Sequence, residues 1–237
     1  MSMSNGFLSQ EEIDSLLNGS DDSSSNTGSN DNSVNLLSDI EKDLLGEIGN
    51  ISMGSASTAL YQIINQKVNI TTPVVSITTL KEIKETFETP TVVLDVEYTS
   101  GIIGRNILII KTEDAAVIAN LMMGGDGIVE NHELSEIEIS AVQEAMNQMI
   151  GSAATSMATM FSREVNISPP ISKIWSNSED ALSSEIPEDQ AIVRVNFRMT
   201  IGNLVDSNIM QILPVETAKK IVSIMIGKED EDSNVSE

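Results

Sequence analysis

What most constrains the fold of this chain is that it is written twice. The segment "LSDIEKDLLGEIGNISMGSASTAL", starting at Leu37, aligns without a gap on "LSEIEISAVQEAMNQMIGSAATSM", starting at Leu134, an offset of 97 residues. Self-similarity at a fixed offset marks one structural unit used repeatedly. Each copy opens on a serine followed three residues later by a glutamate, Ser38 with Glu41 and Ser135 with Glu138, the capping box that starts a helix. β-rich sequence comes next: "PVVSITTL", "TVVLDVEYT" and "NILIIKT" in the first copy, "ISKIWS", "QAIVRVNFRMTIG" and "NIMQILP" in the second. Each copy closes with a shorter helix, with Gly124 and Gly227 as its C-cap glycines. The order helix, three strands, helix, over 37–127 and again over 134–227, predicts an α+β fold. Each copy's amphipathic elements need cover, and the other copy is the available cover, so the two are expected to form one pseudo-two-fold domain over 36–228.

The ends read differently. Residues 18–35 are Ser, Asn, Asp and Gly with almost nothing to bury and read as a disordered linker. Before them, in "GFLSQEEIDSLLNG", Ser9 and Glu12 make a capping box, Leu8 and Ile13 occupy the staple positions, and Ile13, Leu16 and Leu17 share one face. A helix of about eight residues is marginal alone. Residues 1–17 are therefore expected to be a peptide that folds on a partner's surface. Residues 229–237 form an acidic tail or the start of another linker.

Charge and composition narrow the chemistry. With 13 basic against 36 acidic residues, a net charge of −23 argues against nucleic acid and anionic membrane surfaces as partners. There is no cysteine for a disulfide, nucleophile or thiolate site, and the lone His132 reads as a solvated loop residue, so no metal site is expected. No stretch approaches the ~18 apolar residues of a membrane span, and the chain reads as cytoplasmic. Aromatic residues are 3% of the chain, so Met122, Met146 and Met157 are expected to fill core alongside aliphatic residues.

The long helices carry the candidate site. At about 100° per residue, Asp43, Glu47 and Asn50 fall within roughly 60° of one another, and Ser140, Glu144 and Asn147 repeat that geometry. The expected core arcs are Leu37, Ile40, Leu44, Ile48 and Ile51, and Leu134, Ile137, Ala141, Ala145 and Met149. Asparagine is a poor helix former, so keeping it mid-helix in both copies suggests use. Pro73 and Pro170 each stand 22 intervening residues beyond their Asn, a distance that returns the chain to the level of the Asn at the start of a strand. The repeated Gly-Ser-Ala at 54–56 and 151–153 is expected to serve close helix packing.

The pattern Asp/Ser-x3-Glu-x2-Asn-x22-Pro resembles the active-site signature of the CheC, CheX and FliY phosphatases of bacterial chemotaxis. It stands here as Asp43, Glu47, Asn50, Pro73 and as Ser140, Glu144, Asn147, Pro170. "LSQEEIDSLL" is similar to the peptide with which flagellar switch proteins bind phosphorylated CheY, through Leu8, Ser9, Glu12, Ile13, Leu16 and Leu17. Peptide, linker and two intact signatures together resemble the FliY-type motor switch members of that family. The resemblance implies one CheC-like domain with a shared antiparallel sheet and two long helices. It also implies a phosphatase acting on the phospho-aspartate of CheY, with Asn50 and Asn147 positioning water and Glu47 and Glu144 pairing with CheY's lysine. Asp43 and Ser140 would be flank residues. The implied enzyme has no cofactor of its own, because Mg²⁺ arrives with the phosphorylated CheY. Implied partners are CheY and the switch proteins FliM, FliG and FliN, at the cytoplasmic face of the membrane. FliY-type proteins usually continue into a FliN-like domain, which is expected to be absent here, either because the chain is a fragment or because the protein has lost that module. A non-catalytic switch scaffold that binds phospho-CheY, or a CheC-like phosphatase free of the motor, remain open alternatives.

Overall fold

The computed structural model describes residues 36–86, 90–131, 133–176, 180–183 and 185–227. The peptide 1–17, the linker 18–35, His132 and the tail 229–237 lie outside the described residues. In chain order the elements are α1 (Asp39–Ile64), β1 (Val68–Ile70), β2 (Val74–Thr79), α2 (Leu80–Thr86), β3 (Thr91–Ser100), β4 (Gly104–Lys111) and α3 (Thr112–Met122). The second copy supplies α4 (Glu136–Phe161), β5 (Asn166–Ile167), β6 (Ile171–Trp175), β7 (Ala191–Ile201), β8 (Val205–Pro214) and α5 (Val215–Met225).

Both capping boxes form. Ser38 N–H donates to Glu41 at 2.7 Å and Ser135 N–H to Glu138 at 2.8 Å, and each serine hydroxyl accepts the backbone N–H of its glutamate. The long helices also end alike, at Asn65 and Ser162, both left-handed with φ of 50° and 52°. Gly124 and Gly227 follow the short helices with positive φ, as C-cap glycines do. Each copy holds one more short strand than the three expected, β1 and β5, and the first copy adds α2.

The eight strands make one antiparallel sheet, ordered β1-β7-β8-β4-β3-β5, with β2 also on β7 and β6 also on β3. The pseudo-two-fold axis runs between β4 and β8. Outside that centre the copies exchange strands: β1 and β2 of the first copy pair with β7 of the second, and β5 and β6 pair with β3 of the first. Alternation along the strands divides the sheet into two faces. Val92, Leu94, Val96 and Tyr98 of β3, and Val193, Val195, Phe197 and Met199 of β7, meet the long helices in the main core. Met146 and Met157 are buried there and Met122 packs against it. On the opposite face Val93, Ile107, Ile109, Ile192 and Ile212 are covered by Leu80 and Ile83 of α2 and by Trp175, Leu182 and Ile186. The same face turns polar further along, where Arg105 binds Asp95 and Glu185, and Arg198 binds Asp206.

Among the described residues two charged side chains are buried, Lys84, which pairs with Glu188 at 2.6 Å, and Asp114. Asp114, in the first turn of α3, is 7% exposed with one carboxylate oxygen unpaired. Burial pushes its carboxyl above the ordinary range, against the opposing pull of Ser207 and Lys111. A folded-state pKa raised this way means that the native state holds a proton the unfolded chain gives up first, so Asp114 costs stability as pH rises through its folded pKa. Asp114→Asn should therefore raise the Tm at pH 7, with the gain shrinking through about pH 4 and lost below it, as the unfolded carboxyl takes up its own proton. Thermal melts at the two pH values measure it.

Candidate functional site

The buried residues of α1 include Leu45, Ile48, Gly49, Ser52, Met53 and Ala56, and those of α4 include Val142, Ala145, Met146, Met149, Ile150 and Ala153. Asp43, Glu47 and Asn50 lie on the far side of α1 from that stripe, as Ser140, Glu144 and Asn147 do on α4. Asp43, Glu47, Ser140 and Glu144 are exposed, and both asparagines are half-buried. The core arcs differ from expectation: Ile40 and Ile137 are each 73% exposed and Ile51 is exposed too, because the helices bury the side carrying Leu45 and Val142 against the sheet.

The prolines take the expected places. Pro73 directly precedes β2 and Pro170 directly precedes β6, at breaks in edge strands where a missing N–H costs nothing. The approach to each break is pinned across the copies by equivalent bonds, Thr71 N–H to Arg198 O at 3.0 Å and Ser168 N–H to Glu97 O at 2.8 Å. A Cβ built on Gly49 would stand 3.5 Å from Pro73 Cγ and 3.1 Å from the Phe197 ring. The tight contact is the one to Phe197, since 3.5 Å is ordinary van der Waals contact, and Met146 stands at the equivalent position before Asn147.

Between α1 and the start of β2 runs an open groove lined by Asp43, Gly46, Glu47, Pro73, Val74 and Val75. Lys42 also lines it but is paired with Asp39 at 3.1 Å, so the net character is acidic. A second cavity, about 30 Å³ and bordered by Ser52, Tyr98, Asn106 and Gln211, lies among core residues and has room for ordered water.

The two sites are not copies in every atom. Where the first has Gly46 facing Val75, the second has Gln143, which accepts the Ser172 hydroxyl at 2.7 Å and ties α4 to β6. Where the first has Ile51, the second has Gln148, whose amide donates to Glu144 at 2.8 Å. Among the described residues, Glu47, Asn50 and Asn147 make no side-chain hydrogen bond or ion pair. A carboxylate and a carboxamide one turn apart, facing water and uncommitted, can accept from a cation and orient a water on another molecule.

The Gly-Ser-Ala repeats pack differently from expectation. A Cβ on Gly54 or Gly151 would meet nothing within 4 Å. Close contact falls instead on the next residue, where the Ser152 hydroxyl donates to Ser55 O at 3.1 Å. These serines are repeat equivalents, so this contact lies at the pseudo-two-fold axis.

Comparison with known proteins matches both sites. The model of the CheC-like family matches residues 40–77 and 137–174, two stretches of equal length at the same 97-residue offset, each running from the first helical turns through the proline. The crystal structure of Thermotoga maritima FliY superposes with a TM-score of 0.75 at 42% identity, over 81% of this chain and 99% of that one. The chain belongs to the FliY proteins of the CheC-like family. The flagellar motor switch phosphatase FliY of Bacillus subtilis (strain 168) is 47% identical over 232 residues, covering 96% of this chain but 60% of that protein, so the chain spans well under the full length of this FliY. The FliM middle domain of H. pylori, 17% identical with a TM-score of 0.64 over 80% of this chain, shares the fold. In this chain the fold carries two Glu-Asn pairs at repeat-equivalent, outward positions. Gly46, which lines the groove, and Gln143, which ties α4 to β6, went unnoticed in the sequence because only the returning strand shows what they face.

Proposed function

We propose that this chain hydrolyses the phospho-aspartate of the response regulator CheY at the flagellar motor switch. The observation that carries the reading is the pair of Glu-x-x-Asn constellations, exposed and equivalent on α1 and α4. The name of its Bacillus relative, a motor switch phosphatase, supports it. In the reaction a water oxygen bonds to phosphorus as the bond from phosphorus to the aspartyl oxygen breaks. The electron pair returns to the aspartate carboxylate, and the water's proton passes to the released phosphate. A loose phosphoryl transition state asks little of the catalyst beyond holding that water in line. Asn50 and Asn147 do this with an amide oxygen that accepts from the water and an NH₂ that donates. Glu47 and Glu144 dock on the lysine of the CheY site. Mg²⁺ is part of the substrate, bound to phosphorylated CheY. Asp43, Ser140, Pro73 and Pro170 shape and place the pair. Residues 1–17 act as the CheY-binding peptide, with Leu8, Ser9, Glu12, Ile13, Leu16 and Leu17 as its contacts, and the linker 18–35 raises the local CheY concentration around the domain 36–228. FliM, FliG and FliN-type proteins are the partners that hold it at the cytoplasmic face of the membrane; among the described residues no helix is long and apolar enough to cross one.

Phosphate release from phospho-CheY, with and without the chain, tests the reading, and no acceleration would sink it. Glu47→Gln/Glu144→Gln should raise KM about 10- to 100-fold, the size of a lost charged hydrogen bond, with a smaller loss in kcat. A collapse of kcat at unchanged KM would instead assign the carboxylates to the chemical step.

A further inference from the structure

Two pairs of exposed aliphatic residues obey the repeat, whereas others, such as Ile103 at 75% and Ile51 at 42% exposure, have no exposed aliphatic counterpart. Ile40 and Ile137 are each 73% exposed, and Val74 and Ile171 are 67% and 72% exposed, and each pair is related by the 97-residue offset that relates the two sites. Position divides them into one anchor on either side of each Glu-Asn pair. Ile40 and Ile137 stand seven residues before Glu47 and Glu144, two turns away on nearly the same helical azimuth. Val74 follows Pro73 directly and lines the groove with Asp43 and Glu47, and Ile171 follows Pro170 in the same way. Neighbouring surface has diverged between the copies, Ile51 against Gln148 and Val75 against Ser172, while these two positions have stayed aliphatic and open.

Building on the proposed phosphatase activity, we propose that Ile40 with Val74, and Ile137 with Ile171, are paired apolar anchors on which the phosphorylated receiver protein seats, setting specificity and KM without taking part in the chemistry. The occupant's character follows from the surroundings. In the first copy Asp39, Asp43 and Glu47 line the groove with Val74 and Lys42 is held by Asp39, so this face is acidic, and the occupant's surface that matches it is apolar on both flanks and positively charged between them. A receiver whose acyl phosphate lies beside a bound Mg²⁺ and a lysine has that central charge. Two separated apolar contacts fix the orientation of a bound surface where a single charge contact leaves it free to swivel, and a half-buried carboxamide can hold a water in line only against a substrate that does not swivel.

The experiment uses the full chain and phosphorylated CheY. The variant Ile40→Ser/Val74→Thr/Ile137→Ser/Ile171→Thr, and the helix-only variant Ile40→Ser/Ile137→Ser in case the strand changes disturb folding, are compared with wild type for kcat, KM and sedimentation mass. Expected results are a KM raised at least about tenfold in the four-site variant, as for lost interface anchors, a kcat within about twofold, an unchanged mass, and recovery of KM in Ile40→Leu/Ile137→Leu. Unchanged KM in folded, active variants overturns the anchors alone. So does a loss confined to kcat, or a drop in mass that shows the patch to be covered by a second copy of the chain. A wild type that leaves phospho-CheY untouched overturns the phosphatase reading itself, a separate outcome.

Discussion

With Asn50 and Asn147 both replaced by alanine, kcat/KM for phospho-CheY should fall about 100-fold or more, toward the rate at which CheY dephosphorylates itself. A misplaced reactant typically costs about that much. Either single replacement leaves one site working, and the difference between Asn50→Ala and Asn147→Ala reads out how unequal the two sites are. There is a structural reason to expect inequality, because Glu144 is held by Gln148 while Glu47 faces a neighbouring Ile51 and is unheld. The fold should tolerate the change: both asparagines are half-buried on the outer side of 26-residue helices, and alanine is the better helix former by a few tenths of a kcal/mol. Circular dichroism and Tm should match or slightly exceed wild type. Full turnover by the folded double variant would remove the asparagines from the mechanism.

The second large effect is on folding. Expressed separately as residues 36–130 and 131–227, neither copy should fold as a monomer. In the first fragment β1 and β2 lose β7 and β4 loses β8, which leaves the β3–β4 hairpin as the remaining ladder; the second fragment keeps only β7–β8. Two strands with uncovered faces are marginal at best in water. Each fragment alone should give a poorly dispersed amide spectrum and no cooperative melt, and mixing the two should restore both. A cooperative melt from either monomeric fragment would contradict the exchange of strands.

Much of this architecture was legible because it rests on local chemistry that recurs. Two Ser-x-x-Glu boxes located the starts of α1 and α4 to the residue, since a cap is a bond between neighbours. The outward placement of Glu47, Asn50, Glu144 and Asn147 followed from the helical period alone. Other features escaped for physical reasons. β1 and β5, at three and two residues, are too short to show alternation. α2 is seven residues long, although Thr79, whose hydroxyl accepts the Glu82 N–H at 3.2 Å, left a faint cap signal. Ile40 and Ile137 lay at core-like spacing yet face water, because periodicity defines a stripe but the sheet decides which stripe it covers. The pairing of β2 with the other copy's β7 is a long-range choice that no local pattern encodes.

That exchange of strands also limits the ancestry and divergence of such a chain. A half-length version would satisfy its edge strands only against a second identical molecule, as an obligate two-fold dimer whose stability depends on concentration. In such a dimer any substitution near one site appears at the other, so a carboxylate tethered by glutamine in one subunit and untethered in the next could not arise. Joining the halves in one polypeptide removes both constraints. The fold becomes independent of dilution, and Gly46 can differ from Gln143, or Ile51 from Gln148, so that the two faces are free to specialise separately.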